Sequence, residues 1–144
     1  MGGMYMIADA MGALVALLKA DAGLALLVAE RVYAGELPRG EVDRMPRKAI
    51  VLQPSGGLGP GADYLDVGPQ RFDLFAYGET PFEADRVRRQ AYEVLKRMRR
   101  QARANTLLYH VTPAGGLLSL RDPDTDWPVA FQSFSVLYAE VEVT

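Results

Sequence analysis

From Val129 to Val143 the chain is apolar, aromatic and β-branched almost without interruption, and a run of that composition folds as strand. At about 3.3 Å per residue it would extend roughly 50 Å if straight, well beyond an ordinary strand. Its apolar phase also changes, because Phe134, Val136 and Tyr138 fall on even positions while Val141 and Val143 fall on odd ones. A strand of period 2 cannot hold both sets on one face. The segment predicts either a bulge or a tail that pairs outside its own subunit.

Upstream lie the elements such a strand would need as partners. Ala49-Ile50-Val51-Leu52 is a short β-branched run closed by Pro54-Ser55-Gly56-Gly57, which predicts a buried strand and a turn. From Gln70 to Gly78, Phe72, Leu74 and Ala76 alternate with Arg71, Asp73, Phe75 and Tyr77, so one face meets a core and the aromatics of the other meet something too. Between these strands, residues 56–68 are rich in glycine and predict a mobile finger. Thr106 to Val111 and Leu117 to Leu120 predict two further strands around a turn at Pro113-Ala114-Gly115-Gly116.

Three helices complete the pattern. Ile7, Met11, Leu14, Val15 and Leu18 recur at helical spacing, and Asp21 caps a second short helix with Leu24, Leu27 and Val28 inward. Thr80-Pro81-Phe82-Glu83 is a capping box with proline in the first turn. The helix it opens buries Val87, Ala91, Val94, Leu95 and Met98 and presents Arg86, Arg89, Lys96, Arg97, Arg100 and Arg103, reading as a basic helix over 83–103. Glu36 to Lys48, with two prolines and mixed charges, reads as an exposed loop. The order predicts an α+β fold in one domain over 1–144: a mainly antiparallel sheet of about four strands with helices packed on it.

Composition narrows the chemistry. The chain has no cysteine and a formal charge of −2, which removes thiol chemistry and broad adhesion to nucleic acid. The apolar run Ala10 to Leu18 is too short to span a bilayer, so no membrane partner is expected. Asp122, Asp124 and Asp126 alternate like a calcium loop, but Trp127 stands at the glycine position and Ser133 at the distal glutamate position; a polar turn is expected. The glycines of 56–61 lack the lysine and hydroxyl of a phosphate loop. His110 is the single histidine, with no cysteine or paired carboxylate near it, and reads as a packing or surface residue. Trp127 reads as the anchor of the strand entry, with an interface role as its alternative. No nucleophile, base and orienting group come together, so no catalytic, metal or cofactor site is expected.

The Leu18 to Val28 segment, the Arg31-Val32-Tyr33 that closes it and the proline-rich loop before Ala49-Ile50-Val51-Leu52 resemble bacteriophage tail-completion proteins, the tail terminators. Arg71 to Tyr77, followed by the Thr80 to Leu95 helix and a closing pair of strands, is similar in order and spacing to the same family. The resemblance implies a virion protein of the tail and neck, made in the host cytoplasm, that forms a homo-oligomeric ring, a hexamer, on the head-proximal end of the tail tube. The implied partners are further copies, the tail tube protein, the head-tail connector or neck protein, and DNA passing through the lumen. Another neck ring and a DNA-binding module using the basic helix are the alternatives. The assembly contacts of such a ring are assigned to Leu58, Tyr64, Asp66, Phe75, Tyr77, Arg97, Arg100, Trp127, Tyr138, Val141 and Val143.

Overall fold

The computed structural model describes residues 4–5, 9–57, 67–140 and 142–143. In chain order these form β1 (Met4–Tyr5), α1 (Ala10–Lys19), α2 (Ala22–Val28), β2 (Val32–Ala34), α3 (Arg39–Val42), β3 (Ala49–Gly57), β4 (Val67–Tyr77), α4 (Pro81–Arg97), β5 (Gln101–Arg103), β6 (Thr106–Arg121), β7 (Pro128–Glu140) and β8 (Glu142–Val143). The main sheet has six strands, in the order β2-β3-β4-β7-β6-β5. The expected four strands are thus exceeded, by the short edge strands β2 and β5.

Each addition has a local cause. β2 runs parallel to β3, with Val32 opposite Ile50 and Ala34 opposite Leu52; with three residues it is too short to show a hydrophobic period. β5 pairs with β6 across Ala104 and Asn105, whose φ values of 49° and 58° make the mirror-image turn that suits a hairpin. Because of that hairpin α4 ends at Arg97, so Arg100 and Arg103 do not lie on the helix. The loop over 36–48 is likewise more ordered than its prolines suggest. It contains the single turn α3, and its Glu41 is 7% exposed, bound by Nε and Nη2 of Arg47 at 2.6 Å each.

The helical caps follow the sequence closely. Asp9 accepts from the Gly12 amide and Asp21 from the Leu24 amide, so α1 and α2 are capped separately and meet at 90°. Ile7 lies outside the described residues. Thr80 Oγ1 accepts from the Glu83 amide, and Glu83 in turn accepts from the Glu79 amide. These helices pack on one sheet face, where Ile50, Leu52, Phe72, Leu74, Phe134 and Val136 are buried against Leu14, Leu18, Val87 and Leu95. Burying each large apolar side chain contributes about 1.5–3 kcal/mol. Phe72 and Phe134 stack across β4 and β7 at 5.5 Å, adding about 0.5–1.5 kcal/mol beyond the buried area.

The terminal run divides into two strands, β7 ending at Glu140 and β8 at Glu142–Val143, so the even apolar positions and the odd Val143 belong to different strands rather than to one bulged strand. β7 keeps an unbroken antiparallel register with β4 from Val129 opposite Tyr77 to Ala139 opposite Val67. The register shifts fall instead on β6, between Leu108 and His110, between Pro113 and Gly115, and between Gly115 and Leu118. Gly115 and Gly116 have φ of 93° and 71°, so the expected turn at Pro113 to Gly116 is a pair of bulges inside one strand of 16 residues. Beyond β7 the tail does not pair outside its own subunit as expected: β8 pairs antiparallel with β1 of the same chain, Val143 opposite Met4. Of the 56–68 finger, Gly56 and Gly57 continue β3 and Val67 and Gly68 begin β4; its centre lies outside the described residues, as do the assigned contacts Leu58, Tyr64, Asp66 and Val141.

Candidate assembly surface

The helices cover one face of the sheet and leave the other face to a set of aligned rows. Partners directly opposite in a ladder share a face, which places Tyr33, Val51, Phe75, Phe131 and Leu118 in one row across β2, β3, β4, β7 and β6. The next row holds Ala49, Tyr77, Val129 and Leu120. Phe75 meets Phe131 at 5.2 Å between ring centres, and Trp127 stands edge-on to Tyr77 at 6.2 Å. Three of the assigned assembly residues, Phe75, Tyr77 and Trp127, therefore come together as one half-buried aromatic patch.

This patch has definite borders. Toward β2 the chain of 36–48 closes over the sheet: Arg47 holds the Glu41 carboxyl below the ordinary carboxylate range through its hydrogen bonds, and burial, then Glu41, raises the Tyr33 phenol. Burial, and after it the Asp122 carboxylate, raises the Tyr77 phenol. Along the strands the next row turns polar, with Ser133 Oγ donating to Asp73 Oδ1 at 2.7 Å. Toward β6 nothing closes the patch among the described residues, and Leu118 and Leu120 are 55% and 40% exposed.

The remaining assigned residues lie elsewhere. Tyr138 is on the helical face, buried within the core cluster. Arg97 is an exposed residue of the last turn of α4, paired to Glu93 at 3.3 Å, while the Arg100 guanidinium lies 5.5 Å from the Tyr109 ring centre. Val143 is in β8. Arg89 pairs with Asp85, which also holds Arg88, so the exposed Arg89 and Arg97 each have a carboxylate of their own helix beside them, the arrangement of a solvated face. Asp122 turns its carboxylate inward, accepting from the amides of Asp124 and Thr125 as a polar turn does. His110 is exposed.

Two features of the surface escaped sequence reasoning. Arg88 belongs to the arginine-rich helix, yet it is 9% exposed and donates from Nη1 to Gln132 Oε1 at 2.8 Å; its place one turn from Ala84 and Ala91, both fully buried, was the available signal. The exposed apolar edge at Leu117, Leu118 and Leu120 reads from the sequence as an ordinary strand, because the register shifts of β6 beside it depend on tertiary pairing.

No curated protein sequence matches the chain. Among solved structures, 13 chains match. One of them, from the "Virion of native gene transfer agent (GTA) particle", is 18% identical, with a TM-score of 0.68 over 92% of this chain and 94% of that one; at that identity the likeness is one of fold. A family model described as "Tail completion protein gp17" matches residues 12–139, from α1 through β7, and the chain belongs to that family of structural proteins of the phage virion tail.

Proposed function

We propose that the chain is a tail terminator. Copies of it close into a ring of six on the head-proximal end of a completed tail tube, end its growth and present a joining surface to the neck. The observation that carries this reading is the tail-completion family match over 12–139. The fold shared with a chain of a gene transfer agent virion supports it, as does the aromatic row of Phe75 and Phe131, which reaches the exposed Leu118. Monomeric proteins rarely leave extended apolar patches to water, and patches of that kind mark interaction sites.

The mechanism is steric, with no reaction catalysed. One surface of the ring resembles what a tube subunit offers its neighbour and binds the last tube layer; the opposite surface matches no further tube subunit, so addition stops there. Phe75, Tyr77 and Trp127 make contacts between copies, the 58–66 segment with Leu58, Tyr64 and Asp66 reaches a neighbour or the tube, and Val141 and Val143 lie at a further contact. Purified protein added to polymerising tube subunits should hold the tubes at their existing length with a ring at one end. Continued growth, with neither end decorated, would reject termination.

A further inference from the structure

We propose that the outer border of β6 at Leu118–Arg121 is the docking strand for β2 of the next copy in the ring, an inference that rests on the terminator reading. The sheet has two unequal borders. At one, β5 covers β6 only at Thr106–Leu108, so from Tyr109 to Arg121 that side of β6 has no partner strand among the described residues. At the other, β2 pairs with β3 alone among the described residues; the Val32 amide donates back to the Glu30 carbonyl at 2.8 Å, and no second strand lies on its far side among those residues. An open strand side presents amides and carbonyls ready to pair with another chain.

Natural edge strands are usually blunted by charge, yet no charged residue occurs from Val111 to Leu120. Pro113 and the bulges at Gly115 interrupt the first half of this border. Regular pairing resumes at Leu118 and continues to Arg121, a stretch of the size that the three residues of β2 can match. Direction also fits. β2 is parallel to β3, and the ladders β3-β4, β4-β7 and β7-β6 are each antiparallel, so β2 and β6 run in opposite senses. A copy turned about an axis along the strands therefore brings its β2 antiparallel to the β6 of its neighbour.

Of the large apolar side chains exposed among the described residues, all but Phe82 of α4 lie on β6 or on the elements that flank β2 in the chain. Leu117, Leu118 and Leu120 are 58%, 55% and 40% exposed on β6, while Leu26 and Val42, at 89% and 40%, sit on α2 and α3, the elements that flank β2 in the chain. Contact between two different borders is heterologous, the kind that propagates around an axis and closes a ring.

Because the chain has no cysteine, single thiols report the contact cleanly. Ala34 and Ser119 are both exposed. Copies carrying A34C, mixed with copies carrying S119C on tube tips and treated with a short bis-maleimide, should join as pairs, and the A34C/S119C double variant should give a ladder of covalent oligomers. Pairs formed by S119C copies alone would show a two-fold β6-to-β6 contact and overturn the proposal, as would no cross-linking between A34C and S119C copies in rings that do form. In a second arm, L118E/L120E should keep its melting temperature while the fraction of tips bearing rings falls at least about tenfold. Normal rings from that variant would overturn this contact and leave termination standing, whereas rings absent from the unaltered chain would overturn the terminator reading itself.

Discussion

Arg88 and Gln132 are joined at 2.8 Å in the buried seam between α4 and β7, a guanidinium of an arginine-rich helix turned inward onto a strand. The remaining Arg88 contact, Nε to Asp85 Oδ1 at 2.9 Å, stays on the helix. This pair ties α4 to β7, because a buried donor or acceptor left unsatisfied costs more than the bond itself contributes. Gln132→Leu should therefore destabilise the fold by about 1–3 kcal/mol by leaving the Arg88 Nη1 donor buried without its acceptor, and the double variant Gln132→Leu/Arg88→Met by less, since it removes both polar groups together. Paired urea titrations check this; equal losses would contradict it.

Acid should find the Glu41 cluster early. Arg47 lowers the folded-state pKa of Glu41 from its ordinary 4.5, so the stability it contributes is complete above that value and is lost as pH falls through the depressed one. Melting temperature should decline below about pH 4.5 in the parent chain and less steeply in Glu41→Gln, which should also lose about 1–2 kcal/mol at pH 7. Parallel curves for the two proteins would exclude the cluster as a source of acid sensitivity.

The bulge in β6 depends on glycine at one position. Gly116 has φ of 71°, and a Cβ there would stand 2.9 Å from Phe131 Cε1. Gly116→Ala should cost about 1–3 kcal/mol and shift the Phe131 ring, with the change visible in near-ultraviolet circular dichroism. Gly35, also at positive φ but with nothing within 4 Å, supplies the control: alanine there meets only the backbone term.

A smaller effect is expected at the start of α4. Thr80→Ala removes the acceptor of the Glu83 amide and should lower stability by about 1 kcal/mol without changing assembly. If ring formation weakened out of proportion to stability, this end of α4 would belong to a contact.

Much of this architecture could be read from the residues, for reasons that differ by element. Asp21 and the Thr80 to Glu83 box are local capping chemistry, so the starts of α2 and α4 follow from the sequence. The alternation from Phe72 to Tyr77 reveals both faces of β4, and with them Phe75 and Tyr77 as a second aromatic face. What escaped was non-local. β2 is held by a parallel partner, the turn at Ala104-Asn105 lacks the usual glycine, and Glu41 is bound by Arg47 and buried within a segment of mixed charges and prolines. The aromatic patch is half legible for the same reason, since its rows are made by register between strands and, of its aromatic residues, only Phe75 and Tyr77 lie on the same strand.

The account rests on repetition of this subunit around an axis, and the mass of the species bound at tube tips tests it most directly. Native mass spectrometry of capped tips released from short tubes should yield a closed assembly of six copies that the free chain need not form on its own. A single copy per tip, or tubes that keep lengthening with the protein bound along their sides, would contradict it.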